Sequence, residues 1–581
     1  MYLKTSLLTG AAVASLLVMG VDSAAQAKPA KHHHAVRREA APKASETAVL
    51  RSEVEELRAQ VDALKAWRDS QATNQAQSEA QLAQVKQQLA DAQAQAQAAQ
   101  AKVDEQIQTI PGVVHKQILA AAPKDDVIHL GVDPDTGKSA LSLSFAGSFL
   151  ALETVYRNHQ EGADIGSTYS GIPLPNVPTS HLKETRFTAR QSRLAFLAQG
   201  DVPNMPIHLT GYYEMDFLGA AQSANSNESN SFQPRIRNIY TTADWVQPFG
   251  GISLLAGQNW SLATMYSKGL IPRSEQVPLT IEAQYVPGFN WARQPQVRVT
   301  ANINKEWWFA VSLENPQTTF FSSGKFIPGV TPLTTIVGGA EFNSVNNLSL
   351  NDVPDVIGKV AFDHDIQGHA IHVELMGIYR DFYDRLTYPG VSPYNAHAAG
   401  GGFGGGMIVG VVPKMLDLQV SGLSGRGIGR YGSGQLPDVS FGVDGVLHPI
   451  QEYQILAGGI FHWGKALDVY TYAGEERESH QNYAVGTIFN GIGNPNYNNL
   501  GCETEGSTAC VGNTRKLDQI TAGFWDRPVA LRFGKFQWGI QYSYTERHTM
   551  SGFGTVPGAL GNPAPIAREN MVFTSIRYYP F

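Results

Sequence analysis

The sequence predicts an all-β transmembrane barrel of about 16 antiparallel strands behind an N-terminal α-helical coiled coil. Three observations carry this. From about Ala140 to Phe581, apolar and polar residues alternate with a period of two. In one sample Leu209, Tyr213, Met215 and Phe217 share a face, while His208, Thr210, Tyr212, Glu214 and Asp216 share the other. The composition is the second: only 16% of the 581 residues are charged, and Gly 57, Tyr 22, Phe 25 and Trp 9 suit strands, tight corners and interfacial girdles. Yet mean hydropathy is -0.20, and no segment after the N-terminus approaches the ~20 apolar residues of a membrane helix. Strand alternation reconciles the two, since a closed barrel leaves no backbone group unpaired in lipid. The third is a heptad register within residues 45–110.

Residues 1–27 read as a secretory signal: Lys4, an apolar run from Leu7 to Met19, and Ala25-Gln26-Ala27 as the cleavage site. Residues 28–44 form a flexible basic leader with Pro29, Pro42 and Arg37-Arg38. Its His32, His33 and His34 lack a second ligand cluster at suitable spacing, so no metal is expected. In residues 45–110, with Ser45 as N-cap, Val54, Val61, Leu82, Leu89, Ala96 and Val103 occupy one seam position. Leu50, Leu57, Leu64, Val85, Ala92 and Ala99 occupy the other, and the register survives a polar interruption from Arg68 to Ser78. Such a segment needs partner helices. Pro111-Gly112 ends it, and residues 111–139 read as linker.

Residues 140–581 form the barrel. The alternation recurs in Val297, Val299, Ala301 and Ile303 against Arg298, Thr300 and Asn302, in Ile371 to Arg380, and in Phe536 to Thr545. A soluble sandwich also alternates but turns its polar face outward to water, whereas a membrane barrel turns its apolar face to lipid and its polar face to the lumen. The runs place strands near 141–157, 186–201, 206–219, 234–246, 251–260, 295–304, 307–316, 355–363, 369–382, 402–412, 414–424, 438–448, 452–475, 515–527, 533–547 and 570–581. With these, short connections such as Pro203 to Pro206, Asp363 to Gly368 and Pro449 to Gln451 fall at one end. Long ones such as Asn158 to Glu184, Asn315 to Pro354 and Glu476 to Thr514 fall at the other, the asymmetry that separates the periplasmic from the outer side.

No spacing suggests paired acid-base carboxylates, a nucleophile elbow or a metalloprotease helix, so no enzyme and no cofactor are expected. Gly131 to Ser139 is a poor phosphate loop, because a strand pattern follows it, and Gly401 to Gly406 reads as close strand approach rather than a dinucleotide loop. A net charge of -7 and pI near 6.2 give no support for nucleic-acid binding. Cys502 and Cys510, the only cysteines, fall in one long outer loop, and in an exported protein they should form a disulfide worth about 2–3 kcal/mol in the chain-entropy model.

The alternation turns Arg193, Arg235, Arg237, Arg298, Lys359 and Arg380 toward the lumen, against Glu214, Asp216, Glu314 and Glu374. The long connection Ser261 to Gln294 adds Lys268, Arg273 and Arg293, against Glu275 and Glu282. Arginine's fixed fork suits carboxylates, so these side chains are the expected selectivity residues for small anions.

The signal peptide, the coil, Arg190-Gln191-Ser192-Arg193-Leu194, Gly257-Gln258-Asn259-Trp260-Ser261, Glu314-Asn315-Pro316 and the ending Ser575-Ile576-Arg577-Tyr578-Tyr579-Pro580-Phe581 together resemble the DcaP-like outer-membrane porins. The resemblance spans nearly the whole chain. It implies a homotrimer of sixteen-stranded barrels in the outer-membrane bilayer, each with an inward-folded third loop, passing small anionic solutes such as dicarboxylates. Phe581 resembles the terminal aromatic read by the barrel-assembly machinery, although Arg577 stands where that signal usually carries an apolar residue. The Val and Leu seam leans toward two strands, and we side with the three that the resemblance implies, with the coil in the periplasm. The alternative to a channel is a structural tether reaching toward the cell wall through the coil.

Overall fold

The computed structural model describes residues 127–132, 139–202, 204–220, 225–230, 232–247, 249–337, 346–531, 534–552 and 564–580, with six isolated positions nearer the N-terminus. Those six, Glu55, Arg58, Val61, Asp62, Lys65 and Gln87, are helical and exposed. The signal peptide, the leader, most of the coil and Phe581 lie outside the described residues. The chain divides into two units, Met1–Leu119 and Ala120–Phe581, and the second holds all the strands.

Sixteen strands are long or central enough to act as staves: β1 Leu150–Arg157, β2 Arg193–Asp201, β3 Ile207–Gly219, β4 Gln233–Gln247, β5 Gly250–Trp260, β6 Arg293–Ile303, β7 Trp307–Glu314 and β8 Asp355–Ile366 make the first half. β9 His369–Tyr388, β10 Val391–Val412, β11 Leu416–Arg426, β12 Gln451–Trp463, β13 Leu467–Glu478, β14 Thr514–Leu531, β15 Gly534–Thr549 and β16 Ile566–Tyr579 make the second. From β2 onward each pairs antiparallel with the next, and β16 pairs with β1. Between β1 and β2 the ladder is carried by the short strand Glu184–Thr188, which pairs with β1, and by a bridge from Phe149 to Arg193. Within the stretch expected to be linker, Val127–Val132 pairs with Ser139–Ser144, which in turn pairs with β2.

Four expected strands change, and 141–157 and 186–201 do so by breaking, the first into Ser139–Ser144 and Leu150–Arg157 and the second into Glu184–Thr188 and Arg193–Asp201. The run 438–448 is no stave: Val439–Phe441 pairs with Phe320–Phe321 on one side and with Leu447–Pro449 on the other in a separate small sheet. Val439, Ser440 and Phe441 are all buried, so neither face of this short strand is free to meet lipid. Its alternation belongs to a loop packed on itself. The run 452–475 is instead two staves, β12 and β13, joined at Gly464, whose φ of 63° is the left-handed conformation a tight turn needs. One loss and one gain keep the count, but Pro449 to Gln451 moves to the end of the long connections.

The faces are inverted relative to a soluble domain. Val297 and Val299 are 50% and 48% exposed, while Arg298 between them is 1% exposed. The apolar face looks out and the polar face is enclosed, as lipid outside demands. What encloses it is chain. The segment 261–292, between β5 and β6, leaves the wall and crosses the interior, so its backbone must find partners there. Leu262, Tyr266, Gly269, Ile281 and Gly288 donate their N–H groups to Glu314, Glu374, Asp363, Gln541 and Glu476 at 2.6 to 3.1 Å. Each such group left unpaired would cost about 1–3 kcal/mol. Against β13 the contact is so close that a Cβ on Gly474 would stand 1.9 Å from the Pro287 carbonyl oxygen, and Met265 lies against Gly406 of the glycine run in β10. Gly474→Val should therefore lift the segment from the wall and destabilise the fold by about 1–3 kcal/mol, while Gly358→Ala, at an open position, leaves the thermal midpoint in detergent unchanged. Equal midpoints for both variants would refute the close approach.

An outer connection joins the same segment. Ala283 donates to the Ile165 carbonyl at 3.0 Å, the Tyr169 hydroxyl donates to the Tyr285 carbonyl at 2.7 Å, and Ser167 N–H donates to Glu282 Oε1 at 3.0 Å. Glu282 is fully buried, and burial pushes its carboxyl up to about 7. The folded protein thus holds a proton there that the unfolded chain has released. Stability should fall as pH rises from about 4.5 through about 7, and Glu282→Gln should lessen the slope of that part of the profile, read as thermal midpoint against pH.

Candidate functional site

A cavity of about 590 Å³ lies between the crossing segment and the walls of β2 to β4 and β14 to β16. Arg193, Arg237, Arg527 and Arg577 line it from the wall and Arg273 from the segment, against Glu214, Glu275 and Glu282. Five guanidiniums and three carboxylates line it, and Arg237, Arg527 and Arg577 are also paired with Asp216, Asp468 and Glu153 behind the lining. Tyr212, Trp260, Tyr285 and Trp525 supply aromatic surface between them. A second cavity of about 560 Å³, reaching the short-connection end at Gly250 and Gly251, carries Lys268, Arg273 and Lys305. Arg273 lines both, and its guanidinium stands 5.6 Å from the centre of the Tyr212 ring on the facing wall.

The wall cluster is built by cross-strand pairing. Asp216 accepts two bonds from Arg235, at 3.0 and 2.7 Å, and one from Arg237 at 2.8 Å. Glu214 accepts from Arg237 and from the Tyr212 hydroxyl, the latter at 2.7 Å, and lies 3.4 Å from Arg193. Strict alternation would separate Arg237 from Asn238. A register shift between β3 and β4 pairs Glu214 with Asn238 but Met215 with Ile236, and this bulge turns both Arg237 and Asn238 to the enclosed side.

The expected selectivity residues divide by accessibility. Arg193 and Arg235 keep side-chain exposures of 26% and 38%, and Lys268 and Arg273 are exposed. Arg298, Lys359 and Arg380 are fully buried fasteners. Arg298 donates to the Trp260 carbonyl at 2.6 Å, to Gln296 and to the Tyr266 hydroxyl. Lys359 donates to the Thr264 carbonyl at 2.9 Å and to Glu374 at 2.6 Å. Arg380 ties the connections after β7 and β11 together, donating to the Gln317 carbonyl, the Gly427 carbonyl and Asp438 at 2.5 to 2.6 Å. Arg293 is the first residue of β6 and not part of the crossing segment; its guanidinium sits 5.2 and 5.4 Å from the rings of Trp260 and Trp291.

Two cavity arginines escaped the sequence reading. Arg577 donates to Glu153 at 2.8 Å and stacks 4.5 Å over Trp525, and Arg527 pairs with Asp468 at 2.7 Å. The signal for Arg577 was present in its parity, since Phe573, Ser575 and Arg577 share the enclosed face of β16. This also places the anomalous charge away from the lipid side. Cys502 and Cys510 form the disulfide, and its ring docks on the first outer connection, with Asn176 N–H donating to the Cys502 carbonyl at 3.0 Å.

No protein-family profile matches the chain, and no curated protein matches it in sequence. Among solved structures it is similar to the outer membrane channel DcaP of Acinetobacter baumannii, at 14% identity and a TM-score of 0.51, covering 78% of this chain and 99% of that one. The anion-selective porin from Comamonas acidovorans and OmpF of Salmonella typhi follow at 11% and 10% identity, covering 76% and 75% of this chain and 99% and 98% of theirs, with TM-scores of 0.38 and 0.36, too distant to inform the site. The antiparallel wall of this chain therefore shares its fold with the DcaP outer membrane channel.

Proposed function

We propose that the sixteen strands close into one water-filled barrel in the outer membrane and that the protein is a diffusion channel for small anions, dicarboxylates foremost. The single observation that carries the reading is that five arginines line the 590 Å³ cavity beside the crossing segment, with Arg193 and Arg273 among them reaching water. A low-dielectric wall strengthens each of those charges on a passing ion, and the planar guanidinium fork matches a carboxylate with two parallel bonds. The long connections face outward and the short ones the periplasm, as in other barrels of this kind. A tether would need the coil and would have no use for a charged, enclosed face.

In planar bilayers under a salt gradient, the native channel should show an anion-selective reversal potential. Arg193→Ala with Arg273→Ala should lower the anion-to-cation permeability ratio at least about twofold, because both side chains reach water in the cavity. Arg298→Ala should act through stability instead, lowering the thermal midpoint. A cation-selective native channel, or one indifferent to the double variant, would sink the reading.

The coil is proposed to hold three copies together. Deleting Glu46 to Ile110 should lower the temperature at which the oligomer dissociates on a gel while leaving single-channel conductance within about 10–20% of native, since lumen charges set selectivity and flow. A large conductance change would mean that the coil obstructs or gates the channel.

A further inference from the structure

Among the described residues, basic side chains gather on one part of the outward face of the wall. On β11 to β16 the outward face is apolar through Val420, Ile455, Val469, Ile520, Tyr542 and Val572, each 39–55% exposed. Toward the long-connection end the same faces turn charged, with Arg426, Arg477, Lys516 and Arg568 on successive stretches of wall interleaved with Glu475, Asp518 and Glu546, and exposed Arg515 beside Lys516 at a register shift. Lys516 lies four residues beyond Ile520, ~13 Å along the strand, where the hydrocarbon gives way to headgroups. The facing half differs. At the same end of β3 and of β5 to β7 the outward positions are Phe217, Gln258, Pro295 and Leu313, and none is charged.

Part of the patch is neutralised internally. Lys516 pairs with Asp518 at 2.6 Å and Arg568 with Glu546 at 2.8 Å. Among the described residues Arg426 bonds to Gln451 at 3.3 Å, and neither it, Arg477 nor Arg515 has a carboxylate within ion-pair distance. Arg477 and Arg515 line one cavity of about 440 Å³ together with His480 and the buried Glu478. Two unneutralised guanidiniums converging on a pocket at the edge of the apolar band match a phosphate with charge-assisted bonds.

We propose that this rim binds the phosphate groups of lipid headgroups in the outer leaflet, with Arg477 and Arg515 as the principal contacts and Arg426 at its flank. The inference rests on the outer-membrane orientation proposed above. Arg477 shares the outward parity of Val469 and Ala473 on β13, so the charge it offers stands on the lipid side of the wall.

The test is native mass spectrometry of the full-length protein released from detergent, with two probes: diphosphorylated lipid A and the same lipid stripped of phosphate. The native protein should retain the phosphorylated probe at least about tenfold better, because charge-assisted contacts are lost with the phosphates. Arg477→Ala with Arg515→Ala should abolish the difference. Arg385→Ala, exposed on β9 outside the patch, should preserve it. Equal retention of the two probes by the native protein, a double variant that still discriminates, or full displacement by excess inorganic phosphate would each overturn the proposal. The two-probe comparison on the native chain decides the matter even if the double variant fails to assemble. Conductance of the same preparation reports on the channel separately, so a conducting protein that ignores lipid phosphate sinks only this inference.

Discussion

Five wall side chains, Glu314, Glu374, Asp363, Gln541 and Glu476, hold the backbone of the segment 261–292 by accepting its N–H groups, and the interior of the protein depends on these bonds. A strand in a barrel satisfies its own backbone through its neighbours, but a chain that leaves the wall forfeits that ladder. Carboxylates are well suited to replace it, because each oxygen accepts more than one bond and the charge strengthens each. The enclosed face is therefore rich in acids whose work is structural. Glu476 takes N–H groups from both Gly288 and Gly434, fastening two separate connections at one point.

The cations follow the same division. Arg298, Lys359 and Arg380 donate to carbonyls of Trp260, Thr264 and Gln317 and are buried away from the path of an ion. Arg193 on the wall and Arg273 on the crossing segment reach water in the cavity between them, and Arg235 keeps a side-chain exposure of 38%. A buried ion pair is costly to break from one side only, since the remaining charge is stranded in low dielectric, so the fasteners and the accessible arginines are not interchangeable even though they share one face. The Arg235, Arg237 and Asp216 cluster sits between the two groups: it orders the wall and at the same time fixes the charge that the cavity presents.

Much of the fold was legible because lipid imposes a rule of period two over long runs. Leu209 to Phe217, Val297 to Ile303 and Phe536 to Thr545 all fall on the faces their alternation assigns. The failures come where that rule does not apply. Residues 438–448 alternate by chance within a loop buried on every side, and the turn at Gly464 is three residues long, too brief to interrupt the pattern of residues 452–475. The bulge at Arg237 and Asn238 is likewise silent in sequence, because a bulge is a property of two strands and not of one.

For the site, the sequence by itself determined which charged residues lie on the enclosed face, that a long connection between β5 and β6 brings Lys268 and Arg273 with it, and that Cys502 and Cys510 share one loop. Parity along a strand is a local property, so one chain read in isolation reveals it. Only the tertiary structure decided which of those charges meet water. That depends on where the segment 261–292 touches the far wall, and contacts such as Gly288 with Glu476 or Arg380 with Asp438 join residues 188 and 58 positions apart. No pattern of period two encodes such a distance, because it arises from packing between connections and not from the side a residue faces.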